Sequence, residues 1–409
     1  MRHVVKGMLI ALASAMMPAV GLTQVASSYE TPIGSAAEAK PISGYDGSGF
    51  FLRSADDDFS LQIASRLQFQ HIYTDVRAAG AADANTFRMR RARVTILGKL
   101  FKNFEFMNLI NYGTVAASTT AVTGGGGGTV PNPNPPTWLA DMTATVIPQF
   151  KIQVGTVTLP LSRIGERSSG KQAFVELPIT ATQVDGGQLG TIARQAFDAD
   201  TTLGLRLLGD IGKFHYIVGV GNGEDSNYYN VTRSFSYGGR VWFDILGDSG
   251  GNGESDYGYT EEPVLSVGAG SLFDPQDATD SLARTLDWSY TGSGDLYFQW
   301  RGLTITGEAY LRKIRVIQGS FTLDDFGYYA QAGYFVIPKK LEIVARGAQI
   351  FREGPDNNAY EFVGGLNWHL HGNNVKLQAD FSRVLDYDAT IGTGGLATNR
   401  FRTMFTFNI

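Results

Sequence analysis

Asn399-Arg-Phe-Arg-Thr-Met-Phe-Thr-Phe-Asn-Ile409 is the stretch whose reading decides the fold. In an extended strand Phe401, Thr403, Phe405, Phe407 and Ile409 share one face, and Arg402, Met404, Thr406 and Asn408 share the other. An aromatic face running to the end of the sequence has no evident use in a water-soluble sheet. It fits a last strand that seals a barrel in lipid and ends at the membrane interface.

The same period runs back along the chain. Sixteen alternating segments succeed one another, at about 60–76, 87–100, 104–113, 138–147, 150–160, 201–209, 214–222, 233–246, 263–273, 284–300, 303–316, 326–337, 341–351, 358–371, 375–385 and 399–409. An even number suits a single-chain bacterial barrel, and sixteen strands enclose an aqueous lumen rather than a filled core. The connections alternate as well. Lys102-Asn103, Pro148-Gln149, Gly209 to Lys213, Arg301-Gly302, Pro338 to Lys340 and Gly372 to Asn374 are short, with long polar segments between them. Short periplasmic turns and long outer loops are the rule for such barrels. Connection 247–262 departs from it: it is a long periplasmic excursion, or the strand register fails there.

Composition agrees with an all-β, antiparallel transmembrane barrel. The chain is 43% hydrophobic and 12% aromatic with a mean hydropathy of −0.09, moderate because only alternate residues of a strand meet lipid. The absence of cysteine excludes disulfides and thiolate metal sites. Arg2, His3 and Lys6 precede an apolar run from Gly7 to Met17 and the small residues Ala19-Val20-Gly21, the pattern of a signal peptide over 1–21. Residues 22–58 read as a periplasmic leader with a short hairpin around Asp56-Asp57-Asp58, and 59–409 as the barrel. Without Arg2 and Lys6 the chain has 32 basic and 39 acidic residues, a net charge of −7, which argues against nucleic-acid binding. The expected place is the outer membrane of a Gram-negative bacterium, in contact with its lipid and lipopolysaccharide.

Four segments separate their faces cleanly. Leu61, Ile63, Leu67 and Phe69 oppose Gln62, Arg66, Gln68 and Gln70; Leu303, Ile305, Ala309 and Leu311 oppose Thr304, Thr306, Glu308 and Arg312. Leu341, Ile343 and Ala345 oppose Glu342 and Arg346; Phe362, Leu366, Trp368 and Leu370 oppose Glu361, Asn367 and His369. A charge facing lipid near the midplane costs about 2–4 kcal/mol, so the charged faces line water.

Arginine dominates the basic residues, 23 against 11 lysines. The densest group is Phe87-Arg-Met-Arg-Arg-Ala-Arg93. With Ala92, Val94 and Ile96 toward lipid, Arg91 and Arg93 point inward, whereas Arg88 and Arg90 have the opposite parity and reach the lumen only if a bulge or the loop end intervenes near Arg90. Arg66, Arg206, Arg240, Arg301, Arg312, Arg346 and Arg402 also fall on the polar parity of their segments. A row of guanidinium groups, permanently charged and shaped to hold phosphate or carboxylate oxygens, lowers the barrier for anions and raises it for cations. Each such arginine has a second reading, as one half of an Arg–carboxylate pair that stiffens the wall.

The sequence resembles the phosphate-selective porin O/P family from about Tyr45 onward. The likeness is carried by Phe87-Arg-Met-Arg-Arg-Ala-Arg-Val94, Gly98-Lys-Leu-Phe-Lys-Asn-Phe-Glu-Phe106 and Val154-Gly-Thr-Val-Thr-Leu-Pro160. Tyr216-Ile-Val-Gly-Val-Gly-Asn-Gly223, Gly307-Glu-Ala-Tyr310, Gly333-Tyr-Phe335 and Gly364-Gly-Leu-Asn-Trp368 continue it. The resemblance implies a sixteen-stranded, homotrimeric channel with a folded-in third loop and an arginine-lined eyelet. It would place Arg90, Arg91 and Arg93 near the constriction. It would also make Leu161 to Asp200, with Arg163, Arg167, Lys171 and Arg194, the loop that narrows the pore. The outer loops are nearly lysine-free and carry Asp83, Glu224, Asp225, Asp274, Asp277, Asp280, Asp324, Asp325, Asp356, Asp386 and Asp388, so a porin for sugars, organic acids or general solutes stands as the alternative to one for phosphate. Tyr297, Tyr310 and Trp242 on the polar parity are candidates for a sugar slide.

Catalysis finds no support in the motifs. His71, His215, His369 and His371 sit in no recognisable nucleophile–base pattern, and Gly124 to Gly128 lacks the Lys-Ser/Thr and helix of a phosphate loop. His369 and His371 share a strand face, too little for a metal site. Passive diffusion needs no cofactor; the expected partners are small anions.

Overall fold

The computed structural model describes residues 42–77, 84–113, 137–147, 149–181, 197, 201–222, 234–250, 253–275, 286–316, 321–353, 358–386 and 396–409. The expected signal peptide, most of the leader and the glycine-rich stretch 124–128 lie outside them. Two short strands come first, β1 (Ser43–Tyr45) and β2 (Phe50–Arg53). Eight follow as β3 (Phe59–Arg77), β4 (Ala84–Leu100), β5 (Phe104–Asn111), β6 (Thr137–Ile147), β7 (Phe150–Thr158), β8 (Thr201–Ile211), β9 (Phe214–Gly221) and β10 (Ser236–Leu246). The remainder are β11 (Val264–Pro275), β12 (Leu286–Trp300), β13 (Leu303–Val316), β14 (Phe321–Ile337), β15 (Leu341–Arg352), β16 (Ala359–His371), β17 (Val375–Asp386) and β18 (Leu396–Asn408).

Strands β3 to β18 pair each with the next, all antiparallel, and β18 pairs back onto β3 from Ala397↔Arg77 to Asn408↔Arg66. The result is a closed sixteen-stranded antiparallel barrel. Closure pairs the first barrel strand with the last, so neither presents a long open edge to hydrocarbon, which offers no hydrogen bonds. Where β18 ends, Ile409 and Ser65 exchange backbone hydrogen bonds, and β2 then takes over the exposed edge of β3 from Ile63 to Ser60. The segment preceding residue 59 thus contributes to the sheet through the β1–β2 hairpin.

The faces follow the alternation. Leu61, Ile63, Leu67, Phe69, Phe362, Leu366, Trp368, Leu370, Phe401, Phe405 and Phe407 are exposed outward, while Gln68, Gln70, Glu342, Arg402 and Thr406 are buried inward. The tight turns rest on left-handed residues: Arg301 and Gly302, both at positive φ, form the two-residue link between β12 and β13. Arg301 is therefore an exposed turn residue, its guanidinium 5.2 Å from the Trp300 ring, and not part of the lumen. Strand β14 starts at Phe321, earlier than the expected 326, which places Asp324 and Asp325 in a strand rather than a loop. A register shift between His369 and His371 turns the first inward and leaves the second exposed, so the two do not share a face.

Connection 247–263 is an insertion at the short-turn end of the barrel, and the pairing of β10 with β11 carries a register shift beside it, between Asp244 and Leu246.

Candidate functional site

The arginine cluster is turned inward by a defect in the ladder. Gln68 pairs with Arg91 and the next residue, Phe69, pairs with Met89, leaving Arg90 as the extra residue of a β-bulge. The bulge resets parity at the point where the apolar phase of Ala92, Val94 and Ile96 meets that of Phe87 and Met89. All four arginines then reach lumenal partners. Arg88 Nη2 and Arg90 Nε lie 2.9 and 2.7 Å from Glu176, Arg91 Nη1 donates to Gln68 Oε1 at 2.7 Å, and Arg93 Nη1 donates to Ser169 Oγ at 3.2 Å. Arg66, on the neighbouring strand, donates to Asn408, Ser169 and Ser168.

Several of these partners belong to residues 159–181, which follow β7. This segment runs against the inward faces of β3 and β4, of β8 to β13 and of β15 to β17. At its start Leu161 O lies where a side chain on Gly270 would be, 1.9 Å from an ideal Cβ, and Ser293 Oγ donates to the same oxygen at 2.6 Å. Pro160 crosses Gly238 in the same way. Glycine at these inward positions is what admits a second backbone against the wall. Farther on, Ile164 N donates to Glu308 (2.8 Å), Val175 N to Asp380 (3.1 Å), Asn367 Nδ2 to Ala173 O (2.7 Å) and Lys376 Nζ to Gln172 O (2.6 Å). Ile164, Ile179 and Phe197 pack with Tyr310, Tyr329, Ile350 and Val384, so β13 to β17 carry an apolar cluster on their inner side.

Buried charge is sorted into two classes. Arg206 pairs with Glu166 (2.6 Å), Arg240 with Asp295 (2.5 Å), Arg312 with Asp325 (3.0 Å), Arg346 with Glu361 (3.1 Å) and Arg402 with Asp380 (2.7 Å). The last four join strand to strand and match the wall-stiffening reading of an inward arginine, whereas Arg206–Glu166 ties the inner segment to β8. Arg346 also donates to the carbonyls of Glu176 and Leu177, tying the inner segment to β15. By contrast, no carboxylate among the described residues pairs with Arg66, Arg91 or Arg93. Arg163 and Arg167 stand over the Tyr297 ring, 3.8 and 5.2 Å from its centre.

Charges within the inner segment respond to this setting. Burial pushes the Glu176 carboxyl up, but Arg90, by charge and hydrogen bond, and then Arg91 and Arg88 outweigh it and hold the group well below the usual carboxylate range. Burial, then the charges of Arg167 and Arg66, lower the Lys171 ammonium from its ordinary value.

Of the residues read from sequence, Arg66, Arg90, Arg91, Arg93 and Lys171 are brought together; Arg163 and Arg167 sit on the adjacent Tyr297, and Arg206, Arg312 and Arg346 are paired wall residues. Arg194 lies outside the described residues, as do Asp83, Glu224, Asp225, Asp277, Asp280, Asp356 and Asp388 of the acidic loops. Asp274 is buried and accepts from Ser236, and Asp325 is neutralised by Arg312, so neither belongs to a free acidic rim. Ser168 and Ser169 were not singled out from sequence, and Gln68 only as one of the polar face of its strand. Small hydroxyl residues carry no signal until the segment is known to face arginines. His215 bridges Asp210 and Asp244, and Ser249 Oγ bonds to Asp244 rather than to the imidazole.

No family model matches the sequence, and no curated protein matches it. Solved structures do. The outer membrane channel DcaP of Acinetobacter baumannii aligns over 88% of this chain and 100% of its own, with a TM-score of 0.57 at 10% identity. An anion-selective porin from Comamonas acidovorans aligns over 86% of this chain and 100% of its own, at 0.54 and 13%. OmpT of Vibrio cholerae aligns over 87% of this chain and 100% of its own, at 0.52 and 9%. At these identities the likeness is one of fold: the barrel is that of outer-membrane porins.

Proposed function

We propose that the barrel is an outer-membrane diffusion channel for small anions, with phosphate and polyphosphate as its preferred class. The observation that carries the reading is the group Arg66, Arg91 and Arg93, gathered on one stretch of lumenal wall without a carboxylate partner among the described residues. Arg93 Nε is buried with no hydrogen-bond partner there, so a donor stands ready for an oxyanion. A solute moves down its gradient, and guanidinium N–H groups replace part of its hydration shell as it passes. Segment 159–181 narrows the path by packing against the β13–β17 side and by reaching the arginine-bearing wall through Ser168, Ser169 and Glu176. Such a channel consumes no energy source and needs no cofactor. Three barrels packed through their lipid faces form the proposed assembly, surrounded by outer-membrane lipid and lipopolysaccharide.

A channel for organic acids would use the same cations, because carboxylates also fit the guanidinium fork. A sugar slide is less well supported, since Tyr297 lies under Arg163, Tyr310 stacks on Phe197 and Trp242 stacks on His215. The finer choice is tested by chloride current through the purified protein in a planar bilayer as phosphate is added. Block at phosphate well below the chloride concentration, abolished by Arg93→Ala, supports the phosphate reading; block by succinate but not phosphate supports the organic-acid one.

A further inference from the structure

Connection 247–263 enters the barrel from the end where the other described links are two to five residues long. Its described residues are anchored to the inner wall. Asp256, fully buried, accepts from Thr260 N (3.0 Å), Gly302 N (2.7 Å) and Gln299 Nε2 (2.5 Å). Ser255 Oγ donates to Glu342 at 2.8 Å, and Tyr257 packs on Phe335 and His369. At Glu254 the insertion meets the other inner segment. Glu254 N donates to Lys171 O (3.1 Å), while Glu254 Oε2 accepts from Ala173 N (3.1 Å) and from Gln331 Nε2 (3.2 Å) on β14. An ideal Cβ on Gly253 would stand 3.2 Å from Lys171 Cβ.

We propose that Glu254 is a positioning residue for the constriction: from the periplasmic side it clasps residues 171–173 and thereby fixes the spacing of Lys171 from Arg66 and Arg167. The inference rests on the reading of segment 159–181 as the element that narrows an anion channel. A buried carboxylate is costly unless N–H groups hold it. Glu254 meets that condition at Oε2 alone, by joining three parts of the molecule, the insertion, the inner segment and β14. Without the carboxylate, Ala173 N and Gln331 Nε2 lose their acceptor in a buried place, and the inner segment must shift to find another. A displacement of that segment changes the distances between its cation and the arginines of β3 and β4, which selectivity reads directly. Glu254 touches no solute in this scheme; it acts through Lys171 and Ala173.

The test compares wild type, Glu254→Ala and Glu254→Gln as single channels in planar bilayers, after heat-modifiability on gels confirms a folded barrel. Glu254→Ala should raise conductance and lower the anion-to-cation permeability ratio several-fold, and Glu254→Gln, which keeps an acceptor oxygen, should restore both toward wild type. Wild-type conductance and selectivity in a folded Glu254→Ala channel overturns the proposal. Should Glu254→Ala fail to fold, the cysteine-free background allows Gly253→Cys with Lys171→Cys. Their Cβ separation lies near the disulfide range of about 3.5–4.5 Å, so mild oxidation should close the bond and leave the conductance of Lys171→Cys alone unchanged. Failure to cross-link overturns the clasp. A wild-type channel without anion preference contradicts the proposed function instead, while the conductance change still reports on positioning.

Discussion

Arg90 Nε lies 2.7 Å from Glu176 Oε1, joining the bulge in the wall to the segment in the lumen. The same carboxylate also holds Arg88, so one acid compensates two cations. Glu176→Gln should release positive charge into the lumen and raise the anion-to-cation permeability ratio. It should also destabilise the inner segment, because removing one partner of a buried pair costs about 3–5 kcal/mol. Reversal potentials and urea unfolding in lipid vesicles measure the two effects; a stable variant with unchanged selectivity would show the pair to be inert.

The two classes of arginine should separate in a mutant series. Arg66→Ala and Arg93→Ala remove charges that repel each other and have no acid partner among the described residues, so selectivity should fall while stability changes by about 1 kcal/mol or less. Arg402→Ala strands a buried Asp380 and should destabilise the barrel by about 3–5 kcal/mol. Unfolding midpoints that rank the three alike contradict the division.

Lys171 supplies a pH signature. Its ammonium titrates below the ordinary lysine value of about 10.4, and a guanidinium ordinarily holds its charge to higher pH than an ammonium. Because the folded value is lowered, the positive charge disappears on the alkaline side earlier than for a free lysine. Anion preference should therefore weaken as pH rises toward 10, and Lys171→Arg should abolish that weakening. A reversal potential flat to pH 10.4 in wild type argues against Lys171 facing the path.

Gly270 tests the floor beneath the inner segment. Any Cβ there collides with Leu161 O, so Gly270→Val should push residues 160–164 off the wall and alter conductance more than Gly347→Val, where a Cβ meets nothing. Equal conductance in the two variants would mean that the segment does not rest on β11.

The barrel was legible because lipid enforces parity. Leu61 to Phe69 and Phe362 to Leu370 must alternate, and a two-residue period survives without any knowledge of neighbours. The opposite parity of Arg88 and Arg90 was legible, but whether a bulge or the loop end resolved it was not, and the pairing of β3 with β4 shows a bulge. Connection 247–263 announced itself by length alone. That it packs on residues 171–173 depends on Glu254 meeting Ala173 across 81 positions of sequence, and no local pattern encodes such a meeting. The sorting of arginines into paired and unpaired was hidden for the same reason: Asp380 opposite Arg402 is a register fact, visible only once β17 and β18 are aligned. Glycines 238 and 270, at inward positions where other strands carry large side chains, were the one local trace of the segment that covers them.

The most direct measurement is the reversal potential of the purified protein in a planar bilayer under a potassium chloride gradient. Arginines on the lumenal wall without a carboxylate partner among the described residues should give a potential of the sign set by chloride, reduced by Arg66→Ala and Arg93→Ala. A potential of the sign set by potassium would mean that acidic groups govern the path, and the assignment of the arginine wall as an anion route would be wrong.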